Sequence, residues 1–474
     1  MAARDANGAA WGGPADMTAW EALMWRAEAD PRTRSTGLLL EILDREPDWA
    51  RLVAAHDRAS RQIPRLRERV VEPLLPLVTP AWSPDPHFDL DYHLQRLRLP
   101  EPGTLRQLLD LAQGILARPL DKARPPWEAV LVEGLEGGRA GYLLKVHHSL
   151  TDGLGLIQLL TLAHSGVPEP GDHQPAPQPV TRRPLTPHGL LTNRLRQRLT
   201  DAPTALIRRG DSSLRLLGRT VRNPGGVGSD LLRFGLSLRR VLTPPPVERS
   251  PLLRGGSGFG HRFVLHDVPL DELKAAGKAA GGSVNDAFLA GLLGAFRRYH
   301  EHHGIPIDLM PIGIPVSLRT GDDPMGGNRF AGARFAAPVG EPDPRTRIGI
   351  IREFVVTART EPALGFLDLV APALSRLPTA AVIELAAGMT NVSDFQASNI
   401  PGMGHPVYLA GARVTRLYPL GPRPGVAAMI AMISYDGTCC IGLNVDPDVI
   451  SDLEIFEACL REGFAEVLDL RQRR

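Results

Sequence analysis

The sequence predicts an α/β protein, more closely an α+β mixture, divided into two domains. Three observations carry this prediction. A chain of 474 residues exceeds what one ordinary hydrophobic core supports. Strand-like and helix-like stretches are mixed along both halves. Between the halves, from Gly166 to Pro187, the composition shifts to proline with glutamine and glycine, which favours an extended connector over a packed element. The resulting division is an N-terminal domain over 1–167, a connector with basic helices over 168–255, and a C-terminal domain over 256–474.

Taken in order, Met17 to Ala29 reads as a short amphipathic helix. Thr36 to Leu43 (TGLLLEIL) reads as a strand and Pro47 to Ser60 as a helix, a βα opening. Pro64 to Arg69 and Trp82 to Leu94 read as loop or edge segments, and Phe88 to Leu94 alternates apolar and polar residues as a half-buried strand does. Leu105 to Ala117 carries leucines at helical spacing. Arg124-Pro125-Pro126-Trp127 leads into a strand over Glu128 to Val132, a turn at Gly137-Gly138, and a second strand, Tyr142 to Val146, that runs into two histidines.

Past the connector, His188 to Arg240 interleaves leucines with eleven arginines, from Arg194 to Arg240. Helices with one apolar and one basic face fit this pattern, either against an anionic lipid surface or as a solvated bridge. The second half opens with a strand, Gly260 to Leu265, and a helix, Leu270 to Ala280. Ser283-Val284-Asn285-Asp286 introduces a helix over Ala287 to Tyr299 that is apolar nearly all round and therefore buried. Met310 to Leu318 reads as a strand closed by Arg319. Gly326-Gly327-Asn328-Arg329 is a turn before another strand. Helices are expected over Arg345 to Arg359 and Ala371 to Ala387. Strands are expected over Asp394 to Pro401, Val407 to Leu409, Val426 to Ser434 and Thr438 to Val445, and Leu453 to Leu470 closes the chain as a helix.

Composition narrows the class. The hydrophobic fraction of 43% is that of an ordinary globular protein, and no apolar run reaches the roughly 18 residues of a spanning helix. The first residues lack a basic segment leading into an apolar one, so a cytoplasmic protein is expected. Cys439, Cys440 and Cys459 have no metal-type spacing and read as packing residues. Net charge is +2, and the basic stretch has no interleaved aromatics, which argues against nucleic acid.

The chemistry concentrates in Lys145-Val146-His147-His148-Ser149-Leu150-Thr151-Asp152-Gly153. Neighbouring strand residues point to opposite faces, so one histidine faces a site and the other faces packing. Asp152 can cap the helix that begins near Leu154, while Gly153 and Gly155 permit close approach. Ser149 follows the histidines directly and would lie on the opposite face from a base at His148. The diverging histidines and the lack of an i, i+4 pair argue against a catalytic metal.

His147-His148-Ser149-Leu150-Thr151-Asp152-Gly153 resembles the HHxxxDG motif of the CoA-dependent acyltransferase superfamily. Pro125-Pro126-Trp127 is similar to the Pro-Leu-Trp motif of the bacterial wax ester synthase/diacylglycerol acyltransferase family. Asn285-Asp286, Pro315-Val316-Ser317-Leu318-Arg319, Gly327-Asn328-Arg329 and Ser398-Asn399-Ile400-Pro401-Gly402 follow in that family's order. The resemblance spans roughly Phe88 to Leu443. It departs from the family at Met17-Thr18-Ala19-Trp20 and Arg34-Ser35-Thr36, where a Leu-Asp and a Met-His pair are usual, and at Pro126.

The resemblance implies two chloramphenicol-acetyltransferase-like domains forming a pseudo-dimer with a channel at their interface. It also implies transfer of an acyl group from acyl-CoA, a co-substrate, to a diacylglycerol or a long-chain alcohol, with no cofactor. His148 would be the general base and His147 would turn inward. Asp152 would orient the loop, through an arginine such as Arg319, with Gly153 beside it. Asn285 is the candidate on the oxyanion side, because a side-chain amide is a neutral donor, although Ser283 with Asp286 also fits a capping box. Pro125, Trp127, Asp286, Ser317, Arg319, Asn328, Ser398 and Asn399 are the candidate substrate-binding residues. The expected partners are acyl-CoA, the hydrophobic acceptor, and a membrane or lipid-droplet surface touched peripherally. A condensation-type enzyme fed by a carrier protein, and a non-catalytic lipid-binding relative, are the alternatives.

Overall fold

The computed structural model describes residues 11–76, 78–169, 182–197, 200, 247–256, 258–319, 325–328, 330–359 and 366–472. In the first half these form α1 (Ala19–Ala27), β1 (Thr36–Leu43), α2 (Trp49–Gln62), a small hairpin of β2 (Glu68–Val71) and β3 (Ala81–Pro84), α3 (Leu90–His93), β4 (Leu94–Arg98), α4 (Leu105–Ala117), β5 (Trp127–Leu135), β6 (Arg139–His147) and α5 (Gly153–Ala163). The second half supplies β7 (Arg262–Pro269), α6 (Leu270–Ala279), α7 (Val284–His302), β8 (Met310–Ser317), β9 (Phe330–Ala337), α8 (Pro344–Arg359), α9 (Phe366–Leu374), α10 (Thr379–Thr390), β10 (Phe395–Ile400), β11 (Tyr408–Leu409), β12 (Ala412–Leu420), β13 (Ala428–Tyr435), β14 (Thr438–Val445) and α11 (Leu453–Leu468).

Two mixed sheets organise these elements, one in the order β11-β12-β1-β6-β5-β4 and the other in the order β7-β14-β13-β10-β8-β9. In the first, β1 and β6 pair antiparallel so that Thr36 faces His147, which fixes where the histidines emerge. β1 is buried along almost its whole length, the signature of a central strand with both faces covered. In the second, β10 runs parallel to both β13 and β8, and β13 returns as β14 through a tight turn at Asp436 and Gly437, both with positive φ. α7 is buried nearly all round and packs against α11 and α8. The cysteines are buried and unbridged.

The order along the chain hides one connection. β12, from the second half, pairs antiparallel with β1 over Leu38↔Leu420 to Leu43↔Val414 and so completes the sheet of the first half. Its Val414, Leu417, Tyr418 and Leu420 belong to the hydrophobic cluster of that half. Residues 408–420 therefore tie the two halves together, and a division of the chain at the connector alone does not describe them.

Two sequence-based expectations change. Phe88 to Leu94 is not a strand: the Asp89 carboxylate accepts the Asp91 N–H at 3.1 Å and caps the short α3, and the strand begins only at Leu94, where β4 runs along the sheet edge beside β5. Ala371 to Ala387 is not one helix. It is divided between α9 and α10 by residues 375–378, where Pro378 has no N–H to donate and restricts Leu377 before it. Of the arginine-rich stretch, 187–197 is helical and most of the rest, with residues 170–181 of the connector, lies outside the described residues. Among the described residues no helix is long and apolar enough to cross a membrane.

Behind the first sheet, α2 and α5 enclose a small apolar cavity lined in part by Leu66, Trp127, Leu144 and Leu159, with His56, Tyr142 and His164 as polar groups. His56 bonds the Tyr142 hydroxyl at 2.7 Å and the Leu52 carbonyl at 2.9 Å. Burial pushes His56 down to about 4 from an ordinary 6.5, helped by the charge of His164 and opposed by the Leu52 bond. The unfolded chain therefore takes up this proton first. The stability from neutral His56 is present above pH 6.5 and is lost as pH falls toward about 4. Thermal melting across that window should show a shallower loss for His56→Gln than for the unmodified protein; an unchanged slope would contradict this account.

Candidate active site

The end of β6 separates the two histidines. The His148 N–H bonds the Ser35 carbonyl at 2.8 Å. Strand alternation then turns His147 into the protein and His148 toward the second half.

His147 is fully buried, with its ring and that of Trp25 packed T-shaped, centroids 5.2 Å apart. Its Nδ1 receives the Ser149 N–H at 3.0 Å and lies 2.7 Å from Ser149 Oγ. The ring proton therefore sits on Nε2, which faces Glu28 Oε2 at 3.3 Å. Glu28 also accepts the Ser35 N–H at 2.6 Å and the Thr36 hydroxyl at 2.7 Å. Burial pushes the Glu28 carboxyl up, but the bonds from His147, Thr36 and Ser35 outweigh it and hold the group below its ordinary value. Ser149 is buried and engaged with His147, away from His148.

His148 is half-buried, with its Nδ1 2.8 Å from Asn328 Oδ1 and its ring centroid 5.4 Å from that of Phe330. The Asn328 amide nitrogen donates to the His148 carbonyl at 2.6 Å. Burial pushes His148 below its ordinary value, opposed by the Asn328 bond and the charge of Asp152. Phe330 in turn meets Trp20 edge-on at 6.4 Å.

Asp152 caps α5, accepting the Gly155 N–H at 2.8 Å. Arg319 grips both of its oxygens, Nε to Oδ2 at 3.0 Å and Nη2 to Oδ1 at 3.0 Å, and also donates to the carbonyls of Gly326 and Gly327 at 2.7 and 2.8 Å. The Asp152 N–H bonds the Gly327 carbonyl at 3.0 Å, and Thr151 forms a parallel bridge with Gly327. The turn that carries Asn328 is thus fastened to the turn that carries His148. The halves meet closely here: a Cβ on Gly153 would stand 2.7 Å from Ile400 Cδ1, and one on Gly155 would stand 3.0 Å from the Gly326 Cα.

The structure brings together His148, Asp152, Gly153, Arg319 and Asn328, with Ser398 and Asn399 half-buried on β10 just before Ile400. Ser317 is exposed at the end of β8, where its hydroxyl accepts the Arg319 N–H at 3.3 Å. Other candidates stand apart. Asn285 lies in the first turn of α7, and among the described residues no hydrogen bond joins it to His148; the amide that meets His148 is Asn328. Asp286 caps that helix through Ser283, at 2.8 Å to its N–H and to its hydroxyl, and faces Arg352 at 3.6 Å. Pro125 and Trp127 are buried. The Trp127 indole donates to the Leu66 carbonyl at 2.8 Å and stacks on His93 at 4.6 Å, which makes it part of the packing beneath the site.

Sequence reasoning missed Glu21, Trp25 and Glu28 on α1 and the ring of Phe330. The signal available was the spacing of the two glutamates. Seven residues apart, Glu21 within α1 and Glu28 at its C-cap lie two turns apart on one face.

Residues 17–288 match the family described as the wax ester synthase/diacylglycerol acyltransferase catalytic domain, and residues 326–467 match the corresponding C-terminal domain. A Mycobacterium tuberculosis protein that bears the name of a diacylglycerol O-acyltransferase is 43% identical over 458 residues, 97% of this chain and 91% of its own. A Mycobacterium bovis protein bearing the same name is 31% identical over 374 residues, 77% of this chain and 78% of its own. Among solved structures, the wax ester synthase/diacylglycerol acyltransferase of Marinobacter aquaeolei shares the fold with a TM-score of 0.61 at 21% identity, covering 92% of this chain and 94% of its own. The first condensation domain of the calcium-dependent antibiotic synthetase shares it with a TM-score of 0.60 at 16% identity, covering 99% and 97%.

Proposed function

Because the chain belongs to the wax ester synthase/diacylglycerol acyltransferase family, we propose that it is an O-acyltransferase that transfers a fatty acyl group from acyl-CoA to a diacylglycerol or a long-chain alcohol, with His148 Nε2 as the general base. One observation supports the role of His148 above all. Asn328 Oδ1, which can only accept, stands 2.8 Å from Nδ1, so Nδ1 carries the ring proton and Nε2 keeps its lone pair for a substrate hydroxyl. Burial holds the ring below its ordinary value, so it is neutral near pH 7 and able to take a proton.

In this reaction Nε2 takes the hydroxyl proton while the oxygen attacks the thioester carbonyl carbon. The tetrahedral adduct collapses, the C–S bond breaks, and Nε2–H returns the proton to the departing thiolate. Ester and free CoA thiol are the products, and nothing is oxidised or reduced. Asp152 takes no proton. Held by Arg319, it keeps the histidine turn and the Asn328 turn in register. Phe330, backed by Trp20, sets an apolar wall beside the base that suits an aliphatic acceptor. Such acceptors reside in membranes and lipid inclusions, so peripheral contact with a lipid surface on the cytoplasmic side is part of this reading.

The test is to incubate purified protein with labelled palmitoyl-CoA and, in parallel, a diacylglycerol, hexadecanol and ethanol. Labelled triacylglycerol or wax ester is expected, with no need for a carrier protein. Transfer only from a carrier-bound thioester would replace this reading with a condensation-type enzyme. Lipid binding without transfer to any acceptor would end the enzymatic reading.

A further inference from the structure

We infer that Glu28 is a positioning residue for His148, gripping the chain on both sides of the Ser35 carbonyl to which the His148 backbone is bonded; this rests on His148 being the base. The path between them is short. The His148 N–H donates to the Ser35 carbonyl at 2.8 Å. On one side of that carbonyl the Ser35 N–H donates to Glu28 Oε2 at 2.6 Å, and on the other the Thr36 hydroxyl donates to Glu28 Oε1 at 2.7 Å. One carboxylate thus sets an oxygen on each flank of the group that receives the His148 amide.

The local structure of α1 does not call for an acid at this place. Glu28 is the C-cap of the helix, where the helix dipole disfavours a negative charge and favours a basic residue. Its side chain is only 5% exposed, so the charge is also withdrawn from water. Two local preferences are set aside at one residue, and what the position gains is its hold on residues 35 and 36, where β1 begins. An apolar side chain here would leave the Ser35 N–H and the Thr36 hydroxyl without this acceptor.

The effect reaches the imidazole through its own backbone. β6 ends at His147, opposite Thr36, and His148 is the next residue. Two bonds then hold the His148 backbone: its N–H to Ser35 in the first half, and its carbonyl to the Asn328 amide of the second half at 2.6 Å. Asn328 also meets the ring at Nδ1, so the imidazole is centred only when both holds are in register. Without Glu28 the start of β1 is free to shift, the Ser35 carbonyl moves with it, and Nε2 leaves the position from which it takes the hydroxyl proton. A displacement on the order of 1 Å is enough to cost about a hundredfold in rate.

The experiment compares Glu28→Ala, Glu28→Gln, Glu28→Asp and the double variant Glu28→Ala/His148→Ala in the full chain. Each is assayed well below its melting temperature with palmitoyl-CoA and the acceptor that the unmodified protein turns over. Glu28→Ala should lower kcat by about tenfold to a hundredfold, with KM changed by less than about twofold. Gln keeps an oxygen for the Ser35 N–H while the Thr36 hydroxyl turns to accept its amide, so kcat should return to within about threefold. Asp keeps the charge but is a methylene too short to hold both flanks, and should resemble Ala. A Gln variant as slow as Ala, or an Asp variant as fast as the unmodified protein, would make the charge and not the grip the working part and would overturn the proposal. These two decide it even where Glu28→Ala fails to fold. In the double variant the residual rate should match that of His148→Ala while the melting temperature falls further, since only the effect on rate runs through the base. A further loss of rate there, or a lowered melting temperature in Glu28→Ala with unchanged kcat, would also overturn it. Full activity in Glu28→Ala together with loss in His148→Ala removes only the positioning role, whereas full activity in His148→Ala removes the base as well.

Discussion

Replacing His148 with alanine should lower kcat by about 10²- to 10⁴-fold, the range a positioned general base contributes, with little change in melting temperature. The ring is half-buried and its principal polar partner is one amide, so its removal leaves no buried charge behind. The pH dependence adds a sign. Burial lowers His148 below its ordinary value, so the base is already neutral at pH 7, and kcat/KM should rise only through a limb on the acid side of 6.5 before reaching a plateau. The variant should lose that limb. His147→Ala provides the contrast: it removes the partner of the buried Glu28 carboxylate and should act mainly on thermal stability. Steady-state rates with labelled palmitoyl-CoA and melting curves separate the two. A catalytic collapse in His147→Ala with His148→Ala intact would reverse the facing assignment.

What the sequence made legible here was local. Alternation along β6 sets the histidines on opposite faces, and an Asp-Gly pair after a strand marks a helix cap; both follow from rules with a reach of a few residues. The choice between Asn285 and Asn328 does not. Each is an asparagine at the start of an element, and only the crossing of residues 325–328 onto the β6–α5 turn decides which amide meets His148. Glu21 and Glu28 were hidden for a similar reason: on an amphipathic helix a glutamate is ordinarily solvated, and both are buried here only because α1 is covered by α9 and α10 and abuts the histidine strand. β12 shows the same limit at larger scale. Its composition permits a strand, but its partner β1 lies more than 350 residues earlier, and pairing across that separation leaves no mark in the spacing of β12 itself.

The junction between the halves makes the second large prediction, which concerns Asp152 and Arg319. Their side chains are 9% and 10% exposed, and the guanidinium forks onto both carboxylate oxygens while satisfying the carbonyls of Gly326 and Gly327. Removing one member strands the other in a site too dry to solvate it, which for buried pairs costs about 3–5 kcal/mol. Asp152→Ala should reach that range and lose the α5 cap as well, worth about 1 kcal/mol. Asp152→Asn keeps an oxygen for the Gly155 N–H, so the difference between the two variants reports the cap and the remainder reports the ion pair. Arg319→Lys should recover little, since an ammonium cannot fork across two oxygens and two carbonyls. Both residues stand back from the reacting atoms, yet kcat should fall with stability, because the turn released from Arg319 is the one that carries Asn328 to His148. Urea titrations of the four variants, read beside their turnover rates, test this coupling. A loss of stability in Arg319→Ala without any loss of kcat would mean that the Asn328 turn holds its place unaided, and the pair would then be a fastener of the fold and nothing more.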